Sequence, residues 1–245
     1  MSQSLPVLWH EDIDSTNEEA KRIAGTSPLH AQWIAARRQS AGRGRLGRVW
    51  SSPAGNLFAS CLVVPPAGLS DAMKLPFVAG LAVIDTVLAL VPSAKPQLKW
   101  PNDVREEGRK LSGILVESGS TGGVVWAVVG IGVNVETAPE GVGQDATCLR
   151  GLGAVPGIDA PAVLDQLRLD FAGRYQQALD DFSTTRDDWC DHAEGRDGTV
   201  KTTVSGSTIE GRFDGLAEDG ALVLRLPSGE RTIIRAGDVE LVKQG

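Results

Sequence analysis

At 245 residues and 42% hydrophobic content, the chain can bury a substantial core, and its length suits one large domain or a large one with a small one appended. A formal net charge of −7 and a pI near 5.0 disfavour general nucleic-acid binding, which calls for a basic surface. Three widely spaced cysteines (Cys61, Cys148, Cys190), no CxxC, and three histidines (His10, His30, His192) without ligand spacing argue against zinc and for reduced thiols in a cytoplasmic protein without a signal peptide. Residues 7–14, VLWHEDID, alternate loosely and read as a strand. STNEEAKRIAG follows as a helix, with Ser15 or Thr16 as N-cap, Glu18 or Glu19 three residues on, and Gly25 as its stop. AQWIAAR (31–37) and NLFASCLVV (56–64) read as strands, the second ended by Pro65-Pro66. LPFVAGLAVIDTVLALV (75–91) contains Asp85 and stops at Pro92; it is too short and interrupted to span a bilayer and reads as a buried helix, so no membrane is expected.

QLKW (97–100) is a short strand broken by Pro101. LSGILVES (111–118) and GVVWAVVGIGVNV (123–135) are apolar and β-branched, and read as adjacent central strands joined by a Gly-rich hairpin. APAVLDQLRLDFAGRYQQALDDF (160–182) is helix-periodic with Pro161 in its first turn, and TTRDDWCDHAEG reads as a second helix ending at Gly195. From Thr199 the texture changes to five short strands separated by SGS, EDG, PSG and AGD, which suggests a small barrel beyond a boundary near 193–197.

The segment AGRGRLGRVW (41–50) raises the main functional question. Gly42, Gly44 and Gly47 satisfy GxGxxG, but a dinucleotide loop must open a helix, and Pro53 and Gly55 forbid one. Arg43, Arg45 and Arg48, with Arg37 and Arg38 nearby, instead load a glycine loop with guanidinium groups. Local positive charge in an acidic chain points to a small anionic ligand; a solvated basic loop is the plainer reading. Four other stretches carry polar groups in unusual places. DSTN (14–17) is readable as a helix cap alone. KWPND (99–103) sets a lysine at a strand end and an Asn-Asp pair on a proline turn. RKLSGILVE (109–117) runs two cations into a buried strand. GIGVNV (130–135) places Asn134 in an apolar strand, where its amide must find backbone or a ligand.

Together STN, QSAGRGRLGRVW, KWPND, RKLSGILVE and GIGVNV, in this order over roughly residues 7–150, resemble the biotin protein ligase family. The resemblance implies an α+β fold: a catalytic domain over 1–194, with a mixed sheet backed by helices like that of class II aminoacyl-tRNA synthetases, and an SH3-like barrel over 195–245. It implies that biotin carboxylate attacks the ATP α-phosphate, and that a lysine of a biotin carboxyl-carrier protein then takes the biotinyl group from biotinyl-5′-AMP. The first catalytic strand near Val7 leaves no room for a winged helix, so operator DNA is not expected. Family members dimerise through an edge of the catalytic sheet, which one chain neither requires nor excludes.

Carried over residue by residue, the resemblance implies Lys110 and Arg45 as catalytic. Ser15, Thr16, Asn17, Gln39, Gly42, Arg43, Lys110, Gly113, Gly130 and Gly132 would bind biotin, the hydroxyls and amide facing the ureido ring and Gly113 and Gly130–Gly132 leaving room for the ring and thioether tail. Arg43, Arg45, Arg48, Trp50, Lys99, Asn102 and Asn134 would bind ATP, with Trp50 stacking on adenine and Asn134 reading its edge. Asp103 would help hold Mg²⁺. Cys148 stands where the family has serine, and a buried small residue without redox role is expected there. A biotin-responsive repressor and a lipoate ligase are the competing classes; the first wants a winged helix, the second a pocket without partners for a ureido ring.

Overall fold

The computed structural model describes residues 5–26, 29–139, 145–196, 198–204 and 207–242. Strands β1 (Val7–Ile13), β2 (Gln32–Gln39), β3 (Leu57–Val63), β4 (Gln97–Lys99), β5 (Asp103–Glu106), β6 (Arg109–Thr121) and β7 (Val124–Val133) form one sheet in the order β1-β2-β3-β7-β6-β5-β4. Only β1 and β2 run parallel; every other neighbouring pair is antiparallel. The expected hairpin between β6 and β7 turns on Gly122 and Gly123, at φ 58° and 82°, where a side chain would be strained. β5 lay hidden in the sequence, because KWPND reads as a turn. Trp100-Pro101 is a cis bond, and Glu107 and Gly108 (φ 51° and 75°) join β5 to β6.

Alternation decides what each sheet face meets. One face of β3, β6 and β7 turns Ala59, Cys61, Ile114, Val129 and Ile131 to the main core. Helix α3 (Leu75–Leu90) fills that core after the four-residue α2 (Leu69–Ala72), and α4 (Ala160–Asp180) and α5 (Phe182–Asp191) pack on it. The span Leu69–Leu90 is apolar and long enough to cross a bilayer, but α3 is buried along most of its length and serves as the central core helix. The opposite face carries α1 (Thr16–Ala24), whose Ala20 and Ala24 meet Ile34, Leu62 and Val128.

Two helix ends differ from expectation. The periodic run through residue 182 breaks at Asp181, whose carboxylate accepts from Ser183 N and so caps α5. Helix α5 then stops at Asp191, short of Gly195, because the chain becomes a partner of β4: Leu98 N donates to His192 O, and Glu194 N donates to Leu98 O.

The five strands expected at the C-terminus form: β8 (Thr199–Val204), β9 (Ser207–Leu216), β10 (Leu222–Arg225), β11 (Arg231–Ile234) and β12 (Val239–Leu241). They make a fully antiparallel sheet in the order β11-β10-β9-β8-β12. Its β9–β10 turn closes on α3: a Cβ on Gly220 would lie 2.4 Å from the Phe77 ring, and Trp100 Nε1 donates to Gly220 O at 3.4 Å. Phe77 also packs edge-on against Phe182 and Trp189, with centroids 5.8 and 6.0 Å away. It therefore ties α3, α5 and the C-terminal sheet into one contact. Phe77→Ala is expected to cost about 3–5 kcal/mol and to lower Tm by about 6–20 °C in scanning calorimetry.

Candidate functional site

Backbone register builds the floor of the site. Phe58, Gly132, Gly113 and Asp103 stand in one row across β3, β7, β6 and β5, and Ser60, Gly130 and Leu115 in the next but one. Residues directly opposite in a sheet share a face, so the first row places Gly113 and Gly132 side by side and the second adds Gly130, which together make a trough. A cavity of about 480 Å³ lies on this face. Every residue that the resemblance assigned to biotin, ATP or Mg²⁺ lines it except Gly42. That glycine is instead pinned behind the loop: its O accepts from Trp50 N, and a Cβ there would lie 2.5 Å from Ser52 Oγ and 2.6 Å from Trp50 O.

Two of this chain's own side chains stand close over the floor glycines, which still line the open cavity. The Trp50 indole lies over Gly113 and Gly132, where a Cβ would come within 2.7 and 2.5 Å of it. Lys110 Nζ sits 5.2 Å from the indole centroid, and Trp50 Nε1 is buried without a hydrogen-bond partner. Gly130 makes room for Asn17, whose Oδ1 would be 2.2 Å from an added Cβ.

The end of the cavity at α1 is polar and fully wired. Gln39 Oε1 accepts from Thr16 N at 2.8 Å and Thr16 Oγ1 at 3.1 Å, while its Nε2 donates to Ser52 Oγ. Ser60 Oγ lies 2.8 Å from Thr16 Oγ1 and 2.6 Å from Asn17 Oδ1. Asn17 Nδ2 donates to Glu117 Oε2 at 2.9 Å. Burial pushes the Glu117 carboxyl up, but hydrogen bonds from Lys21 and Asn17 outweigh it and hold the group below the usual carboxylate range. Ser60 escaped the sequence reading because nothing local marks it, and Glu117 because it only closes the RKLSGILVE stretch.

Beyond that end cations concentrate, and Arg43, Arg45, Arg48 and Lys110 each meet a carboxylate. Arg43 donates to Glu18 of α1 at 2.9 Å. Lys110 Nζ is 2.8 Å from Asp103 Oδ1. Arg45 donates to Asn102 Oδ1 at 3.1 Å and lies 3.6 Å from Asp238, which Arg48 also pairs. Burial, then the charge of Arg105, pushes the Lys99 ammonium down, a bias that an arriving anion would reverse. The loop itself is a short hairpin: Gly44 N donates to Arg48 O, and Leu46 and Gly47 turn the chain at φ 56° and 73°.

Asn134 faces the cavity, but its Nδ2 donates to the backbone oxygens of Lys110 and Thr147. The backbone has claimed its amide nitrogen, which leaves only the side-chain carbonyl for any ligand in the cavity. Cys148 is half-buried rather than buried; its Sγ lies 3.4 Å from Glu136 O. Asp238 escaped the sequence reading entirely, since a lone acid between short strands carries no signal.

Comparison with known proteins decides the family. The biotin/lipoate A/B protein ligase family matches residues 9–134, and the biotin protein ligase C-terminal domain matches 199–242. The biotin–[acetyl-CoA-carboxylase] ligase of Paracoccus denitrificans is 41% identical, over 92% of this chain and 96% of its own. The chain belongs to the biotin protein ligase family. The bifunctional ligase/repressor BirA of Bacillus subtilis is 30% identical to this ligase, over 98% of the chain and 75% of its own length. The Aquifex aeolicus biotin protein ligase, solved in complex with biotin and ATP, superposes with a TM-score of 0.79 at 28% identity, over 98% and 99% of the two chains.

The wiring under Asn17 gives the ligase a sharp test. Gly130→Ala would drive Asn17 off Ser60 and Glu117 and leave buried polar groups unpaired. A loss of about 1–3 kcal/mol is expected, read as a lower urea midpoint.

Proposed function

We propose that the ligase attaches biotin to a lysine of a biotin carboxyl-carrier protein in two ATP-driven steps, and that the cavity on the glycine floor is where both occur. In the first step a biotin carboxylate oxygen attacks the ATP α-phosphorus and pyrophosphate leaves, giving biotinyl-5′-AMP. In the second the acceptor lysine amine attacks the acyl carbon, AMP leaves with the bonding pair, and the amine sheds a proton. The observation that carries the reading is the division of one cavity: hydroxyls and amides at the α1 end, where Arg43 pairs with Glu18, and Arg45, Arg48, Lys99 and Lys110 beyond them. A ureido ring presents two N–H donors and a carbonyl, which Ser15, Thr16, Asn17 and Gln39 can complement. A lipoyl dithiolane offers no such groups, so this polar end favours biotin.

Lys110 is the cation placed to meet charge developing between carboxylate and α-phosphate, and its pairing with Asp103 holds the ammonium in place. Arg45 and Arg48 present guanidinium forks suited to phosphate oxygens, and Trp50 and the Asn134 carbonyl face the adenine. Asp103 brings a carboxylate to the cavity, and Asn102 adds a carbonyl oxygen. Few, hard oxygen donors beside a phosphate site fit Mg²⁺, which prefers phosphates plus one or two carboxylates; Mg²⁺ would neutralise phosphate charge there.

At the fold level, the antiparallel-dominated sheet with helices on both faces supports a class II synthetase-like catalytic domain over 1–194. The five antiparallel strands support an SH3-like barrel over 195–245. Free Cys61, Cys148 and Cys190 suit the reducing cytoplasm. Incubation with ATP, Mg²⁺, biotin and a carrier domain should add one biotinyl group to the carrier by intact mass, and lipoate should not substitute. An unmodified carrier would refute the assignment. Lys110→Ala is expected to slow biotin-dependent pyrophosphate release at least about 10²-fold; near-normal release would remove Lys110 from the chemistry. Arg45→Gly is expected to release biotinyl-5′-AMP roughly 10- to 150-fold faster, through loss of a charge-assisted hydrogen bond. Bystander albumin would then be biotinylated on a streptavidin blot.

A further inference from the structure

The C-terminal sheet reaches the cavity through one side chain. Asp238, between β11 and β12, sets one carboxylate oxygen 3.6 Å from Arg45 Nη1 and the other against Arg48 Nη2. Its backbone has little freedom. Thr202 Oγ1 on β8 donates to Asp238 O at 3.0 Å, and a Cβ on the preceding Gly237 would lie 2.7 Å from that same hydroxyl. Two guanidinium groups on one loop are therefore referenced to the β8–β12 pair of a separate sheet.

The geometry leaves both arginines free to do more. A guanidinium has five N–H donors in a rigid plane. Arg45 directs Nη1 to Asn102 and Asp238, and Arg48 directs Nη2 to Asp238. The remaining nitrogens of each stay available for phosphate. A planar fork pinned at one corner has its other donors aimed, so less rotamer freedom is lost when an anion arrives. Burial pushes the Asp238 carboxyl up, but Arg48, Arg45 and Lys99 outweigh it and keep it ionised.

We propose that Asp238 is a positioning residue for adenylate formation, orienting Arg45 and Arg48 from the C-terminal sheet so that they meet the triphosphate of ATP. The inference rests on the adenylate-forming reading of the cavity. It acts on ATP and leaves the ureido-facing residues Thr16, Asn17 and Gln39 untouched. Because the pairs are partly exposed, each is modest.

The test uses the full-length ligase with Asp238→Asn and Asp238→Glu. Asp238→Asn is expected to raise KM for ATP about 3- to 10-fold, with KM for biotin changed less than about twofold and Tm unchanged. Asp238→Glu, which keeps the carboxylate, should restore most of the ATP affinity. In parallel, trypsin cleavage after Arg45 and Arg48 without nucleotide should be about 2- to 10-fold faster in Asp238→Asn than in wild type. An unchanged or lower KM for ATP, or a rise in both KM values with a fall in Tm, overturns the proposal. The proteolysis arm needs no activity: if wild type makes no adenylate while Asp238→Asn still loosens the loop, the functional reading has failed and the loop contact stands. If wild type is active and cleavage is unchanged, the proposal alone fails.

Discussion

Cations cannot be gathered in a partly buried cavity unless anions are gathered with them, because removal from water costs each ion several kilocalories that only close opposite charge returns. The ligase meets this constraint with carboxylates from three separate parts of the chain: Glu18 on α1, Asp103 on β5 and Asp238 beyond β11. Charge matching therefore also assembles the site. The arginine loop is drawn to α1 at Arg43 and to the C-terminal sheet at Arg45 and Arg48, so it spans the cavity. An overall net charge of −7 is compatible with a cationic site because Glu18, Asp103 and Asp238 offset much of the local surplus.

The glycines serve a second constraint, that of depth. A sheet whose facing positions carried side chains would fill the space between strands and loop. With Gly113 opposite Gly132, and Gly130 two residues along β7, the backbone itself becomes the floor. Trp50 and Asn17 then reach down to it, standing where the glycines' side chains would have been. The large aromatic residue on the loop side of the site and the missing side chains on the sheet side are thus one arrangement.

Much of this was legible in the sequence, for identifiable reasons. The apolar run of 75–91, interrupted only at Asp85 and Thr86, located α3, the 3.6-residue periodicity of 160–182 located α4, and period-two patterning with turn residues located the C-terminal strands. Seeing β5 required knowing that Glu107-Gly108 would turn at positive φ, and seeing the break at Asp181 required knowing that a cap would win over helix periodicity there. The cavity-lining groups were visible wherever a motif concentrated unusual residue types, as in GRGRLGR and KWPND. Ser60 and Asp238 were invisible because their roles come from cross-strand register and from a contact spanning 190 residues of chain between Arg48 and Asp238. The glycines were recognised as making space, but what fills that space depends on where the loop returns, which no local pattern encodes.

Pre-paired cations also shape which anions can compete for the site. An incoming group must offer Arg45, Arg48 and Lys110 more than Asp238 and Asp103 already provide, or share them. A single carboxylate carries one charge and two oxygens, the same as each resident partner, so its exchange gains little. A polyphosphate brings several charges and acceptor oxygens on a short rigid chain, and can engage the free donors of several cations at once. Simple metabolite carboxylates are thereby disfavoured at the cationic end without any steric barrier. Specificity here is a difference between two occupied states rather than the filling of an empty one. The polar α1 end works by the opposite logic: its hydroxyls and amides are neutral and mutually hydrogen-bonded, so only a ligand that replaces those bonds with equally good ones is accepted. Two ends of one cavity thus select by charge density and by hydrogen-bond pattern, and a molecule activated between them must satisfy both.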